Sequence, residues 1–153
     1  MREIALVLLV TLSPVTELRG GIPLGISLGL DPWFTFFIAV MANAVLFFAI
    51  LLILRLFYDK LLSRLQIFNH YLESVRRKCN PKVDKYGFLG LTLLVAIPLP
   101  ATGVYTATIV SWLLGMDWRK AFPAIALGVL IAGIIVLLIT LGVIEGLGFF
   151  AVG

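Results

Sequence analysis

Glu17 and Arg19 are the only charged residues between positions 4 and 30, and they sit beside Pro14, Gly20, Gly21 and Pro23 in a stretch that is otherwise almost wholly apolar. An ionisable side chain in the hydrocarbon layer costs roughly 3 kcal/mol on insertion scales, so it needs a purpose. Desolvation favours the neutral form of a carboxylic acid, whereas a neighbouring guanidinium favours the charged form. Such a pair can couple the passage of a substrate to a proton, or it can be an ion pair that stitches the structure together. Two residues apart, the side chains cannot face each other on a regular helix. Either the backbone is unwound there, which Gly20 and Gly21 allow, or each finds a partner elsewhere.

A second cluster, IPLPATG at 97–103, offers no charge but many hydrogen-bonding groups. Pro98 and Pro100 remove donors and prevent regular helix, which frees nearby carbonyls, while a limb beginning near Thr102 presents unsatisfied N–H groups. A helix N-terminus carries about half a positive charge and binds anions. Together with Arg19 it makes an electropositive site with one titratable acid. That chemistry suits an anionic headgroup, with a proton or a sodium ion as the coupling ion. The candidate substrate and ion site is therefore Glu17, Arg19, Gly20, Pro98, Pro100, Thr102, Gly103, Tyr105 and Thr106, with Pro14 and Pro23 shaping the first turn. The hydroxyls of Thr102, Tyr105, Thr106 and Thr108 are candidate lining groups, although membrane hydroxyls also bond back to the preceding turn. No nucleophile–base pair, phosphate loop or metal spacing is present. Cys79 and His70 are single residues of their type, which excludes an internal disulfide and a thiolate cage. No cofactor, no metal and no enzymatic activity are expected.

The elements that must position these groups follow from a repeat. Pro14, Thr16, Leu28, Gly29, Asp31 and Phe36 recur 86 residues later as Pro100, Thr102, Leu114, Gly115, Asp117 and Phe122. An apolar segment of about ten residues precedes each proline, at 4–13 and 90–99. At about 1.5 Å per residue it covers roughly half of a 30 Å hydrocarbon core, too little to span. Each is expected to enter the membrane, turn near mid-depth and return, as re-entrant hairpins do in channels and transporters. By contrast, the runs 33–55 and 119–144 are long enough to cross. With 61% hydrophobic and 13% charged residues and a mean hydropathy of +1.13, the chain is expected to be an integral membrane protein. Arg2 and Glu3 cancel and no small-residue cleavage site follows, so a signal peptide is not expected.

The fold class to expect is an all-α membrane protein, one domain over 1–153, built as an inverted repeat of re-entrant hairpin plus span. Repeat one covers 1–55 (hairpin 4–30, span 33–55) and repeat two 87–153 (hairpin 87–116, span 119–144). An amphipathic helix at 56–86 links them. Leu54, Tyr58, Leu61, Leu65, Phe68, Leu72, Val75 and Cys79 form its apolar stripe, with Arg76, Arg77 and Lys78 off it, and Asn80-Pro81 is expected to end it. Ser13 reads as the N-cap of the returning limb with Pro14 in its first turn. Ten of the twelve basic residues lie at 55–85 or at Arg119 and Lys120, which the positive-inside rule assigns to the cytoplasm, with both termini outside the plasma membrane. Trp33, Trp112, Trp118 and Tyr86 read as interfacial anchors.

ELRGGIPLG (17–25), KYGFLGL (85–91) and IPLPATG (97–103) resemble the blocks of the small multidrug export protein family over nearly the whole chain. More distantly, the paired hairpin-plus-span design is similar to the DedA/VTT superfamily of lipid flippases and scramblases. By this resemblance Glu17, Arg19, Gly20, Pro23, Pro98, Pro100, Thr102 and Gly103 fall on characteristic positions, while Ala101 stands where the family pattern implies glycine. The resemblance implies export.

The function to expect is a small secondary transporter, an anionic-lipid or amphiphile translocase proton-coupled through Glu17. A cationic multidrug exporter is the alternative if Glu17 dominates Arg19. From another class, the rival is a non-transporting scaffold that recruits a partner through its basic linker. Membrane lipid is the expected partner and nucleic acid is not. Because two spans enclose little, a homodimer is the expected assembly.

Overall fold

The computed structural model describes residues 1–60, 66–97 and 102–151. Among these residues the chain is helical, without strands, in the order α1 (Arg2–Thr11), α2 (Glu17–Ser27), α3 (Pro32–Lys60), α4 (Gln66–Ala96), α5 (Val104–Leu113) and α6 (Trp118–Ala151). Pro98 and Pro100 lie outside the described residues, as do Leu61 and Leu65 of the linker stripe.

α1 closes just before Ser13-Pro14, where a following proline disfavours the helical conformation. The return begins later than the sequence suggests. Thr16, not Ser13, is the N-cap of α2, and it makes no side-chain cap bond. Its hydroxyl instead donates to the Val10 carbonyl at 2.6 Å, tying the turn to the end of α1. Ser13 contributes its carbonyl, which accepts from the Glu17 N–H at 3.0 Å. Pro23 lies inside α2, which runs unbroken across it. The close fit around Gly21 and Gly25 supports the helix there. A β-carbon at Gly21 would collide with the Thr11 side chain, and one at Gly25 would collide with Thr35. Small residues four apart let α1 and α3 pack against the same face of α2.

Each short limb passes into a long helix through the same corner. Gly29 and Gly115 take positive φ, 83° and 71°, which glycine alone adopts without strain. The Leu30 N–H bonds the Gly25 carbonyl and the Gly29 N–H bonds Ile26. At the second corner the Met116 N–H bonds Ser111 and the Gly115 N–H bonds Trp112, all four at 2.9 to 3.0 Å. These are Schellman closures, and each of the second pair lies 86 residues beyond its counterpart. Asp31 and Asp117 then cap the long helices through the Phe34 and Arg119 N–H groups.

α3 and α6 each contain a 27-residue stretch long and apolar enough to cross a membrane, Pro32–Tyr58 and Trp118–Ile144. They run antiparallel: Phe47 meets Phe122 at 5.4 Å and Phe48 meets Trp118 at 6.3 Å, while Phe36 lies against Gly133. Their outer faces carry exposed Phe37, Met41, Val45, Leu52 and Leu138. The core between the elements holds Leu18, Ile22, Phe47, Val104 and Ile125.

α4 departs most from expectation. The break foreseen at Asn80-Pro81 is absent, and the helix continues through it into the apolar limb Tyr86–Ala96. A proline inside a helix forfeits one backbone bond at a cost of about 3 kcal/mol. Packing of the distal limb offsets that loss: the Thr92 hydroxyl donates to the Ala124 carbonyl of α6 at 3.0 Å, and Gly128 leaves room for Val95. Arg76, which lies off the apolar stripe, reaches a neighbouring helix. Its Nη2 donates to Trp112 O at 3.0 Å and its Nε to Leu113 O at 3.3 Å, capping the C-terminus of α5. The same guanidinium stacks 5.7 Å from the Trp112 ring, whose other neighbour is Tyr58 at 5.4 Å. Trp112 is thus held by protein contacts, whereas Trp33 and Trp118 are exposed.

Candidate functional site

The turn between α1 and α2 meets the approach to α5, and Glu17 lies at the junction. It occupies the left-handed region at φ 48°, the sole non-glycine residue with positive φ among those described. Strain of this kind, about 1–3 kcal/mol, persists only where the surroundings over-determine it. Here they do, because the side chain is held at the start of α5. Glu17 Oε2 accepts the Val104 N–H at 3.2 Å and Oε1 accepts the Tyr105 N–H at 3.3 Å. The carboxylate therefore supplies the cap that Gly103, the N-cap residue of α5, cannot supply itself. Glu17 is buried.

This conformation makes a prediction that opposes helix propensity. In a helix interior alanine is favoured over glycine by about 1 kcal/mol. At position 17 a β-carbon is strained, so Glu17→Gly is expected to be more stable than Glu17→Ala by about 1 kcal/mol, measured by thermal unfolding in detergent. Equal or reversed stabilities would show that the left-handed turn is not held.

Arg19 serves the other cut end. Its Nη2 donates to the Ile97 carbonyl at 3.1 Å, to the Val95 carbonyl at 3.5 Å, to the Thr102 carbonyl, and to Thr102 Oγ1 at 3.3 Å. Val95 and Ile97 are at the C-terminal end of α4, where carbonyls lack intrahelical partners and the helix dipole is negative. The start of α2 thus places an acid at the positive end of α5 and a base at the negative end of α4. The service is mutual: the Tyr105 hydroxyl donates to Leu12 O at 2.7 Å, at the C-cap of α1.

Of the residues singled out in the sequence, Glu17, Arg19, Thr102, Gly103 and Thr106 converge on one polar crevice together with Pro14, Val15 and Thr16. Its volume is about 10 Å³, room for a single water. Tyr105 bonds across the junction instead of lining it. Gly20 faces Thr16 and Val10 within the first hairpin, and Pro23 lies along α2. Thr108 bonds back to the Val104 carbonyl at 2.6 Å, the local alternative for a membrane hydroxyl. Arg76 carries a role that periodicity did not reveal. Its reach to the α5 carbonyls depends on a long stem that folds back over apolar surface. Among the described residues no group of three or more His, Cys, Asp or Glu side chains could hold a metal ion.

A family model described as "Putative small multi-drug export protein" matches residues 17–135, which include both clusters and both long helices up to the middle of α6. No curated protein and no solved structure matches the chain.

Proposed function

The chain belongs to the small multi-drug export protein family, and we propose that within it this protein is a translocase of anionic amphiphiles whose substrate headgroup competes with Glu17. The family makes it a membrane transporter. The finer reading rests on one observation, the carboxylate of Glu17 seated on the Val104 and Tyr105 N–H groups. A phosphate or carboxylate headgroup binds that same kind of helix N-terminus. In the closed arrangement Glu17 fills the anion seat and the crevice holds no more than water. When Glu17 takes up a proton its hold on the N–H groups weakens, and an incoming anion replaces it with Arg19 as counter-ion. Release of the proton restores the internal cap and expels the substrate.

In this reading the α1–α2 pair and the Tyr86–Ala96/α5 pair are re-entrant hairpins, related by inversion, meeting at mid-depth. The 86-residue recurrence of sequence and corner bonds supports it. The basic linker then lies in the cytoplasm with both termini outside. A homodimer would add the enclosure that two spans lack. The architectural likeness to DedA/VTT flippases favours the same substrate class. Because α3 and α6 are antiparallel, Asp31→Cys and Arg119→Cys, each in a Cys79→Ser background, are expected to react with a membrane-impermeant maleimide from opposite sides of the bilayer. Labelling from one side would exclude the hairpin topology.

Transport is tested in liposomes carrying fluorescent phosphatidylglycerol or phosphatidylcholine. The anionic lipid is expected to move about tenfold faster, the equivalent of one charge-assisted hydrogen bond. Glu17→Gln should abolish the pH dependence of its movement. If a fluorescent cationic dye moves and phosphatidylglycerol does not, the anion reading fails and a cationic exporter takes its place.

A further inference from the structure

α3 runs on past the point where α6 begins. Phe48 meets Trp118, the first residue of α6, at 6.3 Å. At about 1.5 Å per residue, the remainder of α3, as far as Lys60, extends roughly 18 Å beyond that contact. The step between the two helices holds a cavity of about 370 Å³, lined by Phe48, Leu51, Leu52, Arg55 and Trp118. A second cation stands at its rim, because the Arg119 guanidinium lies 5.7 Å over the Trp118 ring. Phe48, Leu52, Arg55, Trp118 and Arg119 are exposed and Leu51 is half-buried. Among the described residues neither arginine makes an ion pair. Asp117 instead accepts the Arg119 backbone N–H at 3.1 Å.

Depth decides what can fill the step. The stretch Pro32–Tyr58 measures about 40 Å, the thickness of a bilayer with its headgroup layers. Arg55, one turn from the end of that stretch, is therefore at headgroup level, whereas Phe48, about 10 Å deeper, is among acyl chains. A cavity of about 150 Å³ holds a benzene ring, so this one has room for a length of chain. A second copy of the protein is the other apolar filler at hand. An isologous contact here would set the Arg55 and Arg119 patch against itself, cation to cation, which disfavours it. A cation at headgroup depth above an apolar groove matches a ligand with a phosphate at one end and a hydrocarbon chain at the other.

We propose that the step binds an anionic glycerophospholipid, with its phosphate on Arg55, Arg119 as the second cation, and one acyl chain along Phe48, Leu51 and Leu52. A guanidinium can give a phosphate two parallel bonds, and the Trp118 indole lies at the depth where such rings settle. The lipid is a fixed partner and not cargo. Its site rests on the membrane placement of the family and not on the exchange at Glu17.

The test reads Trp118 itself, because bromine on an acyl chain quenches an indole that it touches. The full chain with Trp33→Phe and Trp112→Phe keeps Trp118 as its sole tryptophan. It is reconstituted in phosphatidylcholine vesicles containing increasing fractions of dibrominated phosphatidylglycerol or dibrominated phosphatidylcholine. High salt screens the diffuse field of the other basic residues and leaves contact pairs. A basic residue at the surface favours an anionic lipid about fivefold, so half-quenching is expected at a fraction of phosphatidylglycerol at least about fivefold lower than of phosphatidylcholine. Arg55→Gln should lower that preference about fivefold. Arg77→Gln, the same loss of charge on α4, should leave it unchanged, as should added inorganic phosphate. Equal quenching by the two lipids, or equal effects of the two substitutions, would overturn the proposal. So would displacement by inorganic phosphate, which would mark an ion site, or a Trp118 that neither lipid quenches, which would mean that a second copy covers the step. If Trp112→Phe does not fold, Trp33→Phe alone serves, since Trp112 is held between Arg76 and Tyr58, and the preference and its loss in Arg55→Gln still decide.

Discussion

Arg19→Ala is expected to destabilise the protein by about 3 kcal/mol and to abolish the preference for anionic lipid. Removing one partner from a desolvated charge network leaves the other side unpaired, which typically costs about 3–5 kcal/mol. Here the stranded groups are the carbonyls of Val95, Ile97 and Thr102 at the end of the α4 limb, together with the nearby Glu17 carboxylate. For a chain of this length the loss corresponds to roughly 10 °C in unfolding temperature. Arg19→Lys separates structure from function. Lysine restores the charge but not the planar fork that reaches several acceptors at once, so part of the stability should return. Transport measured per folded molecule then decides. Should folded Arg19→Lys move phosphatidylglycerol and phosphatidylcholine with the preference of the parent protein, the guanidinium does not read the headgroup. Should tip variants change only stability, while charge reversal at Arg77 removes function, the scaffold alternative is favoured. Arg77 is the better probe of that alternative than Arg76, because Arg76 is committed to Trp112 and Leu113.

The long helices were legible because unbroken apolar runs admit few other readings in a chain of this composition. The corners were legible for a different reason: Gly29 and Gly115 stand where a helix must close with positive φ, and Asp31 and Asp117 stand where the next must be capped. The polar cluster was visible as residue types, since a charge pair in an apolar segment needs no alignment to be noticed. What could not be read was where those charges go. Their partners are mainly backbone groups at the end of α4 and the start of α5, and every residue except proline carries the same N–H and C=O. The left-handed turn at Glu17 was hidden for a related reason, because no glycine marks it. At Asn80-Pro81 the local signal was real but weaker than the packing of Thr92 and Val95 onto α6. Periodicity placed Arg76 off the apolar stripe and could not show that its side chain reaches the carbonyls of α5. Asn43 stands in an apolar span, and the sequence could not show that its Oδ1 is left without a partner among the described residues.

Gly103→Ala should be nearly as damaging as loss of Arg19, for a reason that lies wholly in space. At φ −171° and ψ −160° the residue is extended, a conformation that alanine adopts freely, so backbone strain contributes nothing. A β-carbon there would stand 2.5 Å from Glu17 Cδ and Oε1 and closer still to Oε2. No ordinary contact is that short, so the carboxylate must leave the Val104 and Tyr105 N–H groups or the tip must withdraw. Either way a desolvated carboxylate loses its bonds, at about 1.5–3 kcal/mol. Glu17→Ala alone should cost a similar amount by removing the cap. The double variant distinguishes this account from a general intolerance of the tip to substitution. With the carboxylate gone, the alanine at 103 has room, and the two losses should not add: a coupling of at least about 1.5 kcal/mol is expected in a double-mutant cycle. Additive losses would mean that Glu17 does not sit against Gly103, and the competition between Glu17 and a substrate anion for one seat would fall with it. If the coupling is present, Glu17→Ala offers a direct view of the open site, because a β-carbon at 103 would crowd a headgroup in that seat as it crowds the carboxylate. It removes the carboxylate while keeping the N–H groups and Arg19, so anionic lipid should bind it more tightly than the parent protein even as transport slows.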